Sequence, residues 1–174
     1  MKSESLTTDR LRLVPVTIET CTAELENRHI FSKLINAEVP GSWPPPLLTD
    51  ETIHEFIGML EDPDNIRLCS WYWVRIFNDP GKRDVLIGGG GLYRNDDGTC
   101  EIGYSVLDEY QSRGYATEAV ISILDFIFSK ESIERVYATT YPGLLPSVRV
   151  LEKCGFNREG VGKEDGTIRF SIVK

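Results

Sequence analysis

In "RLRLVPVT" the apolar residues Leu11, Leu13 and Val16 alternate loosely with polar neighbours, which predicts a first strand. The spacing then changes. From 18 to 36, Leu25, Phe31, Leu34 and Ile35 recur at helical intervals, so one or two helices are expected. "VPGSWPPPLLTDE" holds four prolines and can sustain neither a helix nor a sheet ladder; it reads as a loop. Thr49 or Asp50 next caps a helix through "ETIHEFIGML", with Ile53, Phe56, Ile57 and Leu60 on one side.

"LCSWYWVRIF" and "DVLIGGGGLY" are β-rich and flank the turn "NDPGKR", the pattern of a hairpin. Alternation places Trp71 and Trp73 on one face and Tyr72 on the other. One of those faces is expected to be core, and the other is free to line a cleft. "DDGT" turns the chain into the strand "CEIGYSVL". From Ala116 to about Ser129, Ala119, Val120, Ile123, Leu124, Ile127 and Phe128 recur at three and four, an amphipathic helix against a sheet. "RVYATTY" is a strand, "PSVRVLEKCGF" a short helix ended by Gly155, and "GTIRFSIVK" a closing strand. The order predicts one α+β (mixed α/β) domain over residues 1–174.

Composition narrows the function. With 174 residues, 41% hydrophobic and 26% charged, the chain is globular and large enough for a full core. A net charge of −8 disfavours nucleic acid and anionic membranes as partners, because both attract a positive surface. No apolar run approaches membrane-spanning length and "MKSESLTTDR" lacks a signal-peptide core, so a cytoplasmic protein is expected. Cys21, Cys69, Cys100 and Cys154 are dispersed, and only His29 and His54 could join them. Neither a metal site nor a disulfide framework is expected.

The candidate chemistry lies in "EIGYSVLDEYQSRGYATEAV", where a strand hands over to a helix. A helix N-terminus offers unpaired amides to an anion, Gly114 lets a ligand approach the backbone, and Ala116 keeps the first turn small. Gln111 and Arg113 add side-chain donors. Taken alone, this turn reads first as an ordinary strand-to-helix connection. Gly88–Gly91 does not complete a dinucleotide fingerprint and no G-K-[ST] exists, so neither familiar phosphate loop is present. The glycine run instead suggests close strand packing or a bulge.

"QSRGYA" resembles the [Q/R]-x-x-G-x-[G/A] acyl-CoA loop of the GNAT acetyltransferase superfamily. "EIGYSVLDEYQSRGYATEA", "PSVRVLEKCGF" and "TTDRLRLVPVT" are similar, in order, to segments of its ribosomal-protein N-terminal acetyltransferase branch. The resemblance implies a bent, mostly antiparallel mixed sheet flanked by helices and splayed between its fourth and fifth strands. It implies acetyl-CoA as cosubstrate, without a metal. The pantetheine would pair with Tyr104, Ser105, Val106 and Leu107, and the pyrophosphate would sit on Gln111, Ser112, Arg113, Gly114, Tyr115 and Ala116, with Thr117 adding a hydroxyl. The acceptor it implies is an amine, either a protein N-terminus or a small molecule such as a polyamine, amino acid or drug. A homodimer is left open.

Within that resemblance Glu101 is the candidate base, against the plainer reading of a solvated strand-end carboxylate. Ser147 is the candidate acid, against the plainer reading of a helix N-cap. Relatives often carry Asn in place of Leu144 and some a Tyr acid in place of Leu151; Tyr141 is a spare candidate. Trp43 either walls the acceptor mouth or is tucked onto the core. The alternative function is a non-catalytic acyl-CoA-binding or sensing module of the same fold.

Overall fold

The computed structural model describes residues 4–45, 48–61, 68–130 and 132–174. Pro46 and Leu47, part of the expected proline-rich loop, lie outside the described residues. The strands are β1 (Leu6–Thr7), β2 (Leu11–Pro15), β3 (Leu68–Arg75), β4 (Val85–Arg94), β5 (Cys100–Val106), β6 (Arg135–Thr140), β7 (Asn157–Val161) and β8 (Ile168–Val173). They form one sheet in the order β1-β2-β3-β4-β5-β6-β8-β7. Every pairing is antiparallel except β5 with β6. The helices are α1 (Ile18–Glu26), α2 (Arg28–Leu34), α3 (Asp50–Glu61), α4 (Tyr115–Lys130) and α5 (Leu145–Lys153).

Local chemistry explains the helix boundaries. Thr17 and Thr20 form a reciprocal capping box at the start of α1. Asn27 ends α1 and caps α2, its side chain accepting from the amides of His29 and Ile30. Thr49 rather than Asp50 precedes α3, with its hydroxyl taking the Thr52 amide at 3.3 Å. Gly155 adopts φ +87° just after α5, a conformation that favours glycine.

Both faces of the sheet are buried, so the sheet is a middle layer between two cores. Trp71 and Trp73 pack in one with the inner face of α4, including Ala119, Ile123 and Ile127. Trp71 meets Phe126 edge-on, with ring centroids 5.7 Å apart. Tyr72 points into the other core, with Phe31 of α2 and Ile53 of α3. Two strands escape the hydrophobic pattern. β1 is only two residues long, and β7 is exposed throughout. β7 owes its strand form to its ladder with β8, a tertiary pairing that carries no periodic signal.

β5 and β6 pair only at Cys100–Val136 and Glu101–Tyr137. Beyond Glu101 the strands part: β5 stays on β4 as far as Val106, while β6 stays on β8 as far as Thr140. This is the expected splay; the short β1 shifts the strand count by one. The glycine run of β4 lets its neighbours close in. A Cβ on Gly90 would stand 2.5 Å from the Gly103 carbonyl oxygen, and one on Gly91 only 2.2 Å from that of Cys69. Register also slips beside this run, with Trp73 facing Gly88 but Val74 facing Leu86, so Ile87 bulges.

Candidate active site at the splay

Two cavities meet in the splay. One, of about 390 Å³, lies between the freed edge of β5, the loop that follows, and the first turns of α4 and α5. Glu118 is the first residue of α4 whose amide bonds back along the helix, to the Gly114 carbonyl at 3.0 Å. The amides of Tyr115, Ala116 and Thr117 therefore have no partner within the helix. Ser112 at φ +60° and Gly114 at φ +82° curl the preceding loop, the backbone pattern that gathers amides into an anion-binding hollow. Gln111, Ser112, Gly114, Tyr115, Ala116 and Thr117 all line this cavity, as do Tyr104, Ser105 and Val106.

One residue expected here lies elsewhere. Leu107 is 3% exposed in the core beneath α1–α3, and its amide is taken by the Ile87 carbonyl at 2.9 Å. Arg113 is not itself a lining residue, but its guanidinium sits 5.9 Å from the centre of the ring of Tyr110, which is one, so it stands beside the cavity. Gln111 is turned inward. Its Nε2 donates to the Val106 carbonyl (3.0 Å) and to Asp108 Oδ1 (2.8 Å), so it braces the corner between strand and loop. Arg149 and Lys153, on one side of α5, supply cations that the sequence reading missed. Their only signal in the sequence was a spacing of four along a helix.

Arg10 was also missed, because 103 positions separate it from the loop it holds. Its Nη1 donates to the Arg113 carbonyl at 3.0 Å, and its Nε and Nη2 grip Glu118 Oε2 at 2.7 and 2.6 Å. Thr8 Oγ1 and the Arg10 amide bond the other oxygen of Glu118 at 2.6 and 3.0 Å. Burial pushes the Glu118 carboxyl up, but these bonds outweigh it and hold the group below the ordinary carboxylate range. The start of β2 thus clamps the loop and neutralises a carboxylate in the first turn of α4.

The second cavity, of about 480 Å³, opens toward α1 and α3. It shares Tyr104, Ser105, Leu144 and Ser147 with the first, so the two adjoin at these residues. Glu101 lines it and is only 7% exposed, not a solvated strand end. Tyr93 stands opposite Glu101 across the ladder. Burial, followed by the charge and hydrogen bond of Glu101, raises the Tyr93 phenol. Ser147 does not cap α5: it lies inside the first turn, and Leu144 at the cap position makes no side-chain bond. Its Oγ is 3.5 Å from the Tyr104 hydroxyl, which burial raises to about 12. Tyr141 and Leu144 are about half exposed at the mouth, and Leu151 is buried in the wall. Trp43 is both things at once, 5% exposed and part of the lining.

Charge is sorted between the cavities. Among the described lining residues the first has Arg149 and Lys153 and no carboxylate, whereas the second has Glu24, Glu101 and Glu164 and no Lys, Arg or His. No group of three or more potential metal ligands occurs among the described residues, and no helix there is long and apolar enough to cross a membrane.

Residues 10–157 match the acetyltransferase (GNAT) domain family. The chain is 40% identical over 82 residues to the uncharacterized N-acetyltransferase YnaD of Bacillus subtilis, a match spanning 47% of this chain and 48% of that protein. It is 29% identical to the uncharacterized N-acetyltransferase YjdG of Bacillus subtilis over 87% of this chain and 88% of that one. Among solved structures, the microcin C7 self immunity acetyltransferase MccE, in complex with acetyl-CoA and AMP, is similar with a TM-score of 0.62. That likeness covers 96% of this chain and 94% of MccE at 18% identity.

Proposed function

Because the chain belongs to the GNAT acetyltransferase family, we propose that it transfers an acetyl group from acetyl-CoA to an amine at the junction of the two cavities. The observation that carries this reading is the sorting of charge across the splay. An anion-binding hollow with Arg149 and Lys153 lies on one side, a carboxylate-lined chamber on the other, and unpaired strand edge between them.

The residues present fit acetyl-CoA. The amides of Tyr115, Ala116 and Thr117, curled in by Ser112 and Gly114, suit a pyrophosphate. Arg149 and Lys153 add charge to hold phosphate oxygens. The β5 edge beyond Glu101 offers main-chain groups to an extended amide chain; the Val106 carbonyl is already used by Gln111, which confines that pairing to the residues before it. When bound, acetyl-CoA supplies a thioester whose C–S bond breaks as the C–N bond forms.

Glu101 takes the proton that the acceptor ammonium must lose before it can attack. Tyr93 holds the carboxylate in place from the adjacent strand. Ser147, at the junction of the cavities and beside the Tyr104 hydroxyl, stands ready to return a proton to the leaving sulfur. The buried wall around Leu151 keeps water away from the reacting atoms.

Two measurements test the reading: calorimetry with coenzyme A, and thiol release from acetyl-CoA with a panel of primary amines. Binding together with amine-dependent thiol release supports it. Binding with no turnover on any amine would instead assign a non-catalytic acyl-CoA sensor. No heat with coenzyme A refutes both.

A further inference from the structure

The acidic chamber contains a carboxylate that the acetyl-transfer reading does not use. Glu24 projects from α1 into the chamber wall. Its Oε1 accepts from Trp43 Nε1 at 2.7 Å and its Oε2 from the Tyr72 hydroxyl at 2.6 Å. Both donors are neutral, and no basic side chain among the described residues pairs with it. Removing a carboxylate from water with no counter-charge is unfavourable by several kcal/mol, and two neutral hydrogen bonds recover only part of that. Burial accordingly raises the Glu24 carboxyl above its usual range despite those two bonds. A carboxylate has about four lone-pair sites, so Glu24 keeps acceptor capacity toward the chamber. The Trp43 and Tyr72 rings, in edge-to-face contact with centroids 6.2 Å apart, meet Glu24 with their polar edges and fix its carboxylate in the chamber wall.

This position is separated from the candidate base. Tyr72 lies in a cross-strand row with Gly89 and Ser105, whereas Glu101 lies in a row with Tyr93. Those rows are four residues apart along β5, roughly 13 Å at about 3.3 Å per residue. That spacing suits one flexible molecule with a nitrogen at each end better than a single amine held at one point.

Resting on the acetyltransferase reading above, we propose that the acceptor is a small diamine or polyamine. One ammonium seats on the Glu24 carboxylate where it lines the chamber, and the nitrogen at the other end is delivered to the Glu101 side. The ammonium at that end first gives one proton to Glu101; the neutral amine then forms the C–N bond as the C–S bond breaks, and the second proton it loses reaches the leaving sulfur by way of Ser147, releasing the thiol. The chamber volume of about 480 Å³ is in the range of small-molecule sites. No Lys, Arg or His is among its described lining residues, so the carboxylate of an amino acid acceptor would meet no opposite charge there.

The test compares kcat/KM, with acetyl-CoA saturating, for α,ω-diaminoalkanes of increasing length, for n-alkyl monoamines of matched length, and for a peptide with a free N-terminus. Diamines are expected to exceed matched monoamines about tenfold or more, with an optimum length, and to exceed the peptide. Glu24→Gln, which keeps an oxygen for Trp43 or Tyr72, is expected to bring the diamine-to-monoamine ratio close to one. A bis-quaternary alkyl dication, which cannot be acetylated, should compete with the acceptor about tenfold better than its singly charged analogue; this readout uses the unmutated protein. Equal use of diamines and monoamines overturns the inference, as does a ratio untouched by Glu24→Gln at unchanged melting temperature, or a preference for the peptide. In each of those cases turnover persists and acetyl transfer stands. No turnover with any amine overturns both.

Discussion

Arg10→Met is the most informative single change, because it separates holding the loop from forming the fold. Arg10 carries 47% side-chain exposure and Glu118 18%, so the pair is half open to solvent. An ordinary exposed ion pair is worth about 0.2–1 kcal/mol; two contacts to one half-buried oxygen place this one near about 1 kcal/mol. Stability should therefore fall by about 1–2 kcal/mol, including the lost bond to the Arg113 carbonyl. Coenzyme A affinity should fall further. Glu118 would be left as an uncompensated negative charge in the turn that must receive a pyrophosphate. At about 8 Å and an effective dielectric of about 20 that repulsion is roughly 2 kcal/mol, which salt screening reduces to about a tenfold rise in Kd. The decisive variant is the double one. Adding Glu118→Gln removes the orphaned charge and should restore most of the affinity without restoring the stability. Calorimetry with coenzyme A and urea unfolding on wild type, Arg10→Met, Glu118→Gln and the double variant read the two effects independently. If the double variant binds as weakly as Arg10→Met, the electrostatic argument fails and Arg10 acts only by shaping the loop. The pH dependence has a definite sign: the folded Glu118 pKa lies below its unfolded value, so the stability from this carboxylate is present above about pH 4.3 and lost as pH falls through the lowered value. The stability gap between wild type and Arg10→Met should narrow over that acid range.

Three further outcomes are expected. Glu101→Gln should lower kcat by about a hundredfold or more with the KM for acetyl-CoA changed less than about threefold; an unaltered kcat across pH would remove Glu101 from the chemistry. Gly91→Ala should destabilise by about 3 kcal/mol or more, since its Cβ would meet the Cys69 carbonyl oxygen at 2.2 Å, whereas Gly103→Ala, with nothing within 4 Å, should leave the melting temperature nearly unchanged. Burial pushes the Cys21 and Cys154 thiols to about 11, so at pH 8 only about a thousandth of each is thiolate; mass spectrometry after iodoacetamide should find both unmodified in the folded protein and alkylated in urea.

Much of the fold was legible in short windows of sequence. The alternation around Trp71, Tyr72 and Trp73, the three-and-four spacing from Ala119 to Ile127, and the glycine just past α5 each express a preference that a few consecutive residues decide. The hollow at Ser112–Thr117 was legible for the same reason, because a left-handed glycine before a helix is a local event. What escaped was whatever depended on a partner distant in the chain. β7 has no pattern of its own and exists through its ladder with β8. Leu107 looked like part of the cofactor strand until the bulged carbonyl of Ile87 claimed its amide. Ser147 read equally well as a cap until α5 began two residues earlier.

By itself, then, the order of residues determined most of the elements and the turn at Gly114, both of which rest on contacts among near neighbours. Only the tertiary structure decided that Arg10 holds the loop and that Glu24, Trp43 and Tyr72 line the same cavity as Glu101. The physical reason is that charge acts through space and not along the backbone. Sheet pairing and helix packing set which carboxylates face one chamber and which cations face the other.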